Sequence, residues 1–158
     1  MFWRLEAGER FDDVKGATAK RRFKALVTKG LTQGFLAYVG DAPVGWLSAG
    51  RRRDFNKLDR APSLAIDDAD RVHALQCFFV KRGFRGQGVA SALLAAAVKA
   101  LKEDGAEVLE GYPVRPARPG APIPAAFAYT GTVPLFEKAG FRVVQSKATG
   151  KQRVREVL

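Results

Sequence analysis

The stretch Arg85-Gly86-Gln87-Gly88-Val89-Ala90-Ser91 joins a run of apolar residues to a helical pattern, and its composition is that of an anion site. The N-terminus of a helix leaves its first N–H groups without intrahelical partners and carries partial positive charge, so phosphate oxygens bind there readily. Glycines at 86 and 88 let the backbone approach the anion with no Cβ in the way, and Arg85 adds a charged fork. A pyrophosphate is the ligand this combination fits. Gly86 to Ser91 is also nearly a dinucleotide fingerprint, with Glu110 roughly twenty residues further on where a ribose-binding acid would sit. Against that reading, Ser91 replaces the third glycine, five residues (81–85) separate the apolar run from Gly86, and only 48 residues follow Glu110. A dinucleotide fold needs more strands and helices than such a tail can hold. A Walker phosphate loop requires Gly-Lys-Ser/Thr after the glycines, which this chain lacks. A tight turn with no ligand stays open at this point.

The elements around the turn are legible from periodicity. Val72–Val80, "VHALQCFFV", reads as a strand buried on both faces, because its second half is almost wholly apolar. Ala90, Leu93, Leu94, Ala97, Val98 and Leu101 follow at i, i+3, i+4, i+7, i+8 and i+11, an apolar helical stripe that Gly105 ends. Upstream, residues 17–29 place Ala19, Phe23, Leu26 and Val27 at helical spacing before Gly30. Residues 34–50 hold two apolar runs around Gly40-Asp41-Ala42-Pro43, the chemistry of a hairpin. Charges, a proline and "DDAD" between Arg51 and Arg71 predict a long surface connection. Downstream, 106–114 reads as a strand, 115–124 as a proline-rich loop, 132–140 as a short helix, and "FRVVQ" and "QRVREVL" as closing strands.

Composition narrows the class. With 158 residues, 47% of them hydrophobic, the chain has the size and apolar content of a single domain over 1–158, of mixed α and β type. One cysteine, Cys77, excludes an intrachain disulfide and fits a reducing compartment, so a cytoplasmic location is expected. No apolar leader and no run of about 18 apolar residues appears, which predicts no membrane partner. The 27 Lys and Arg against 16 Asp and Glu give a formal charge of +11, which attracts polyanions of any kind. No aromatic RNA-binding motif or Cys/His metal spacing accompanies the charge, so neither a specific nucleic-acid partner nor a bound metal is expected.

Taken together, "CFFVKRGFRGQGVASALL" resembles the cofactor motif of the GNAT superfamily of acyl-CoA-dependent N-acetyltransferases: Arg or Gln, two residues, Gly, one residue, then Gly or Ala. Arg85, Gly88 and Ala90 occupy those positions, and "LFEKAGF" (135–141) is similar to the family's second motif, usually "YEKLGF". The resemblance covers roughly 120 residues. It implies a mixed, mostly antiparallel twisted sheet with splayed central strands and helices on both faces. It also implies acetyl-CoA as cosubstrate, an amine acceptor, and direct transfer in a ternary complex; a homodimer is compatible with it.

The resemblance carries site residues with it. Phe78, Phe79 and Val80 are expected to bond pantetheine through main-chain groups. The N–H groups of Arg85, Gly86, Gln87, Gly88, Val89, Ala90 and Ser91 are expected to cradle the pyrophosphate, and Phe136 to lie against the cofactor. The family's usual acid is the tyrosine that Phe136 replaces, so the donor to the departing thiolate is sought in Tyr129 and then Tyr112. Where some relatives carry a glutamate on the central strand this chain has Ala74. Glu110 is the substitute base, since an acid among apolar residues is costly to bury without a role or partner. His73 ranks below it, and Cys77 has no second histidine to activate it as a nucleophile. Residues 113–129 are expected to wall the acceptor pocket, with Arg115, Arg118 and Arg51 to Arg53 available to an acidic acceptor. Phe136 also raises an alternative: a catalytically idle domain that binds acyl-CoA or a polyanion as a sensor.

Overall fold

A computed structural model describes residues 1–116, 118, 121–124, 126–146 and 150–158. Two short helices, α1 (Phe11–Val14) and α2 (Ala17–Thr28), precede a hairpin of β1 (Gln33–Val39) and β2 (Ala42–Arg51). After α3 (Asn56–Arg60) the chain enters β3 (Val72–Val80), crosses through α4 (Val89–Glu103), and returns in β4 (Val108–Gly111). The remaining elements are β5 (Val114–Arg115), α5 (Val133–Glu137), β6 (Arg142–Gln145), β7 (Gly150–Lys151) and β8 (Arg153–Val157). Six strands form one sheet in the order β1-β2-β3-β4-β8-β6, while β5 and β7 pair separately. Only β3 and β4 run parallel, as expected for two strands joined through a helix. Among the described residues no helix is long and apolar enough to cross a membrane.

Two apolar layers hold the sheet. On one face Leu93, Leu94, Ala97 and Leu101 of α4 pack on Leu47, Ala49, Leu75 and Leu109, the stripe that the helical periodicity predicted. On the other, Trp3, Phe55, Leu58, Leu64, Ala74 and Tyr112 form a second cluster. That cluster corrects the expected surface connection over 51–71. The segment folds into helical turns that bury Phe55, Leu58 and Leu64, while the intervening charges pair with one another. Likewise α2 is present, but Val27 is 53% exposed, because only the Ala19–Phe23–Leu26 strip faces inward, with Phe23 edge-on to Trp46 at 5.4 Å.

The parallel pairing stops early. It runs from Val72↔Val108 to Leu75↔Gly111, and β3 then continues through Val80 without β4. Two features part the strands. Pro113 has no N–H to donate to a ladder, so the expected strand over 106–114 breaks into β4 and β5. The fully buried Phe136 ring is wedged between Gly111 and Gly131, where a Cβ on either glycine would collide with it. The same ring meets Phe78 edge-on at 5.9 Å and Phe141 at 5.1 Å. A bulge in β3 lies at the parting point: Leu47 pairs Phe78 and Ala49 pairs Leu75, so three steps on β3 face two on β2. Bulges of this kind re-aim side chains and end pairing beside functional sites.

Beside the closed end of the β3–β4 pair lies a charged cluster. Glu110 is fully buried and accepts from Arg155 Nε at 2.6 Å and from the Tyr112 hydroxyl, with Arg52 Nε at 3.6 Å and Arg153 Nε at 4.0 Å. Arg155 reaches on to both oxygens of Asp68, at 2.8 and 2.9 Å, and Arg52 to Asp59. Removing one partner of a buried ionic group strands the others, at a cost of about 3–5 kcal/mol. Glu110→Gln is therefore expected to lower stability by that amount, read as a lower denaturant midpoint with an unchanged slope. A loss under about 1 kcal/mol would show that the cluster holds little of the fold.

Candidate active site

The opening between β3 and the turn Ala128–Thr130 leads into a cavity of about 430 Å³. Phe78, Phe79 and Val80 form one wall, Arg85, Gly86 and Gly88 to Ser91 the end, and Tyr129, Thr132 and Leu135 the opposite wall. The glycine turn and the unpaired strand edge thus belong to one site. Strand geometry fixes which main-chain groups face it. The N–H of Lys81 donates to the carbonyl of Val44 at 2.9 Å, towards β2. Alternation then turns Phe79's main chain to β2 and those of Phe78 and Val80 to the open edge. Phe79 keeps a different contact: its side chain, 55% exposed, lines the cavity.

At the end of the cavity Gly86 (φ 75°) and Gly88 (φ 81°) are left-handed, a conformation that glycine adopts without strain. A Cβ at either position would meet no protein atom within 4 Å, so neither glycine is there to relieve a protein contact. Gly88 is the N-cap of α4, its carbonyl accepting from Ala92 N–H at 2.9 Å. The N–H groups of Val89, Ala90 and Ser91 consequently have no intrahelical partner. Arg85 folds back through Nε to the Val80 carbonyl at 3.0 Å, which ties the turn to the strand end and engages one of the two oxygens on the open edge. These features fit an extended, hydrogen-bonding chain that ends in phosphates: an open strand edge for the chain and free donors for the anion.

Two expected cofactor residues keep their side chains out of the cavity. Gln87 does not line the cavity; its Nε2 donates to the Gly83 carbonyl at 2.9 Å. Phe136 lies in the core behind Phe78 and Gly131 and reaches the cavity only through them. Its ring supports the wall and splays the strands.

The candidate acid–base residues separate sharply. Tyr129 lines the cavity, half-buried, with burial pushing its phenol above the ordinary value. Its oxygen accepts a long 3.5 Å bond from the Lys151 ammonium, which leaves the hydroxyl proton free to point elsewhere. Tyr112 is fully buried, donates to Glu110 and stacks near Trp3 at 6.2 Å, and its pKa is pushed up by burial and by the Glu110 charge. Glu110 and Tyr112 are fully buried and line neither this cavity nor the one around Trp3 and Trp46, and their polar atoms are engaged with one another and with arginines. His73 lies at the opposite end of β3, its pKa lowered by burial, beside a third cavity that Asp54 and Arg51 share. The Cys77 thiol is pushed up by burial, which keeps it protonated and unreactive.

Sequence reasoning missed three features. Lys151 carries no local mark of a site in the sequence, yet it is half-buried, with Nζ 4.7 Å from the Tyr129 ring and 5.0 Å from the Trp3 ring. Burial lowers its pKa. Gln76, fully buried at the bulge, has neither amide atom hydrogen-bonded among the described residues. The third is a second cavity of about 350 Å³ on the other face of β3, walled by the N-terminal segment, α2 and β2, with Cys77 at its inner end. Its aromatic residues are scattered from Trp3 to Phe55, so no local pattern could reveal it. Lys151 lies over a ring from each cavity. The expected acceptor wall over 113–129 falls partly on Ala117, Pro119, Gly120 and Ala125, outside the described residues. Arg52 and Arg53 are committed to Asp59, Glu110 and Asp70 rather than to an acceptor.

Comparison with known proteins agrees with this architecture. The model of the acetyltransferase (GNAT) family matches residues 2–122, well over half of the chain. An N-acetyltransferase from Staphylococcus aureus Mu50 superposes with a TM-score of 0.58 at 14% identity, covering 98% of this chain and 81% of its own. A ribosomal-protein-alanine N-acetyltransferase from Brucella melitensis gives 0.58 at 17% identity, with 89% and 77% covered. The PaiA N-acetyltransferase from Thermoplasma acidophilum, in complex with coenzyme A, gives 0.55 at 12% identity, with 90% and 72% covered. No curated protein matches the sequence. With the splayed sheet, the glycine turn and the family match in agreement, the chain belongs to the GNAT acetyltransferase family.

Proposed function

We propose that this chain is a single-domain acyl-CoA-dependent N-acyltransferase that moves an acetyl group from acetyl-CoA to an amine by direct attack in a ternary complex. The observation that carries this reading is the convergence of the unpaired β3 edge, the left-handed glycines and the start of α4 on one cavity. In this reading the pantetheine runs along Phe78 and Val80, and the pyrophosphate rests on the N–H groups from Gly86 to Ser91. The acceptor enters from the second cavity, across the bulge. The idle-domain reading is not favoured, because Phe136 fills the core and its lack of a hydroxyl takes no group from the cavity.

The proton inventory then runs through Tyr129. An amine lone pair attacks the thioester carbon, a C–N bond forms, and the C–S bond breaks. The departing thiolate, with a pKa of about 8.5 as the free thiol, takes the phenol proton of Tyr129. The nitrogen releases its surplus proton to the phenolate, directly or through water, which restores the enzyme. Lys151 stabilises the transient phenolate as a neighbouring positive charge.

Three substitutions test this reading. Gly88→Glu places a bulky negative group where the pyrophosphate is expected, so CoA binding in calorimetry should disappear while the fold persists by circular dichroism; unchanged affinity would remove the phosphate site from the glycine turn. Tyr129→Phe should lower kcat by about 10²-fold or more with CoA affinity unchanged. Lys151→Met should act in the same direction and more weakly, because losing the ammonium raises the phenol's pKa further and makes it a poorer acid. Parental turnover in Tyr129→Phe would move the donor role to another group.

A further inference from the structure

The second cavity has an unusual chemical lining for a site that is to receive an amine. Its walls are the rings of Trp3, Phe11, Phe23, Trp46 and Phe55, with Ser48 and Cys77 at the strand side. Its charged side chains are Arg4 and Lys20; no carboxylate lines it among the described residues, and none of the seven others is an acid. Nearby acids are occupied elsewhere: Glu9 holds Arg22 at 2.6 Å, and Asp12 holds Lys15 at 2.9 Å. Asp54 offers Arg4 its main-chain oxygen at 2.8 Å, while its residue lines the third cavity.

An alkylamine is a poor fit to these surroundings. At neutral pH it is an ammonium, with a pKa about 3 units above neutrality, so roughly one molecule in 10³ carries the free lone pair. No carboxylate in the cavity binds that ammonium or takes its proton, and Arg4, Lys20 and Lys151 repel it. Two of the rings that could cage a cation are already covered by one. The Arg4 guanidinium already lies 4.3 Å from the Phe55 ring centroid and Lys151 Nζ 5.0 Å from that of Trp3.

Arg4 points to the opposite charge on the ligand. Its guanidinium hydrogen-bonds two neutral acceptors, the Asp54 carbonyl and Thr32 Oγ1, both at 2.8 Å; burial lowers its pKa, partly offset by the nearby Asp54 carboxylate, which forms no hydrogen bond to it among the described residues. A half-buried cation held by neutral groups favours an anionic partner. Lys20 forms no ion pair among the described residues and stands at the same cavity.

We infer that the acceptor is an aromatic amine bearing a carboxylate: a compound whose nitrogen is conjugated to a ring and is therefore neutral at physiological pH. This inference rests on the acyltransferase reading above. The ring lies among Trp3, Phe23 and Trp46, the carboxylate meets Arg4 and Lys20, and the amine faces Cys77 and the bulge. Such a nitrogen attacks without prior deprotonation. Its proton is lost only after the C–N bond forms, when the nitrogen is strongly acidic, and it replaces the proton that Tyr129 has given to the sulfur. The cavity therefore functions with Ala74 where a base would stand.

The test measures thiol release from acetyl-CoA by the whole chain with 4-aminobenzoate, aniline and benzylamine as acceptors. The expected order of kcat/KM is 4-aminobenzoate, then aniline lower by about tenfold or more for the lost charged contact, then benzylamine. Between about pH 6.5 and 8.5 the 4-aminobenzoate rate should change only through the Met1 amino group at the cavity, whose pKa burial lowers, and by less than about threefold, whereas a benzylamine rate should rise about tenfold per pH unit until its ammonium is titrated. Arg4→Gln should raise KM for 4-aminobenzoate about tenfold and leave that for aniline unchanged. Lys20→Ala, on an exposed position, should do the same to a smaller degree. Equal or better use of benzylamine, or turnover of none of the three by a chain that binds CoA, overturns the inference and leaves the donor site standing. Failure to bind CoA at all overturns the acyltransferase reading beneath it.

Discussion

The structure turns on how briefly β3 and β4 stay together. Four residue pairs, ending at Leu75↔Gly111, are enough to set the two strands side by side, and then the ladder is given up. In the middle of a sheet that is costly, since N–H and C=O groups on both strands lose their partners. The chain settles β4's side locally: Pro113 brings no N–H, its carbonyl accepts from Gln152 at 2.8 Å, and Val114 donates to Gly131 at 3.1 Å. On β3's side the main-chain groups of Phe78 and the N–H of Val80 face the cavity, and that open edge is what the proposed cofactor site uses. The Phe136 ring, held between two glycines that leave it no spare space, keeps the edges apart.

Charge is distributed to match. The acids and arginines around Glu110 are concentrated at the closed end, where they satisfy one another in a buried cluster. Among the described residues no carboxylate lines either cavity there: α4 begins with its positive terminus, Arg85 closes the turn, and Lys151 lies over a ring from each cavity. An anionic donor is therefore drawn towards one face of β3 without competition from protein acids. The two functions of the sheet, holding the fold and holding a ligand, are separated along a single pair of strands.

Much of this was legible in residue order. The apolar run before the glycines, the stripe from Ala90 to Leu101 and the Gly40-Asp41 turn are local patterns with local causes, and β3, α4 and the hairpin followed them. Glu110 marks where local reading ends. An acid among apolar residues announces either a catalytic role or a partner, and its partners, Arg52 and Arg155, lie 58 and 45 positions away and are joined to it only by the fold. Phe136 carried a motif position but not the motif's role, because the space between Gly111 and Gly131 is created by tertiary packing. The aromatic cavity drew its walls from separate segments between Met1 and Cys77, and Lys151 was indistinguishable from neighbouring surface lysines until β7 placed it beside Tyr129.

Amide hydrogen exchange with and without saturating CoA tests the central claim most directly, because it reads the main-chain groups that the unpaired edge exposes. The account predicts slowed exchange at Phe78 and Val80 and from Gly86 to Ser91, with Val108 to Gly111 unchanged. Protection confined to other segments, or none at a CoA concentration shown by calorimetry to saturate the protein, would contradict it.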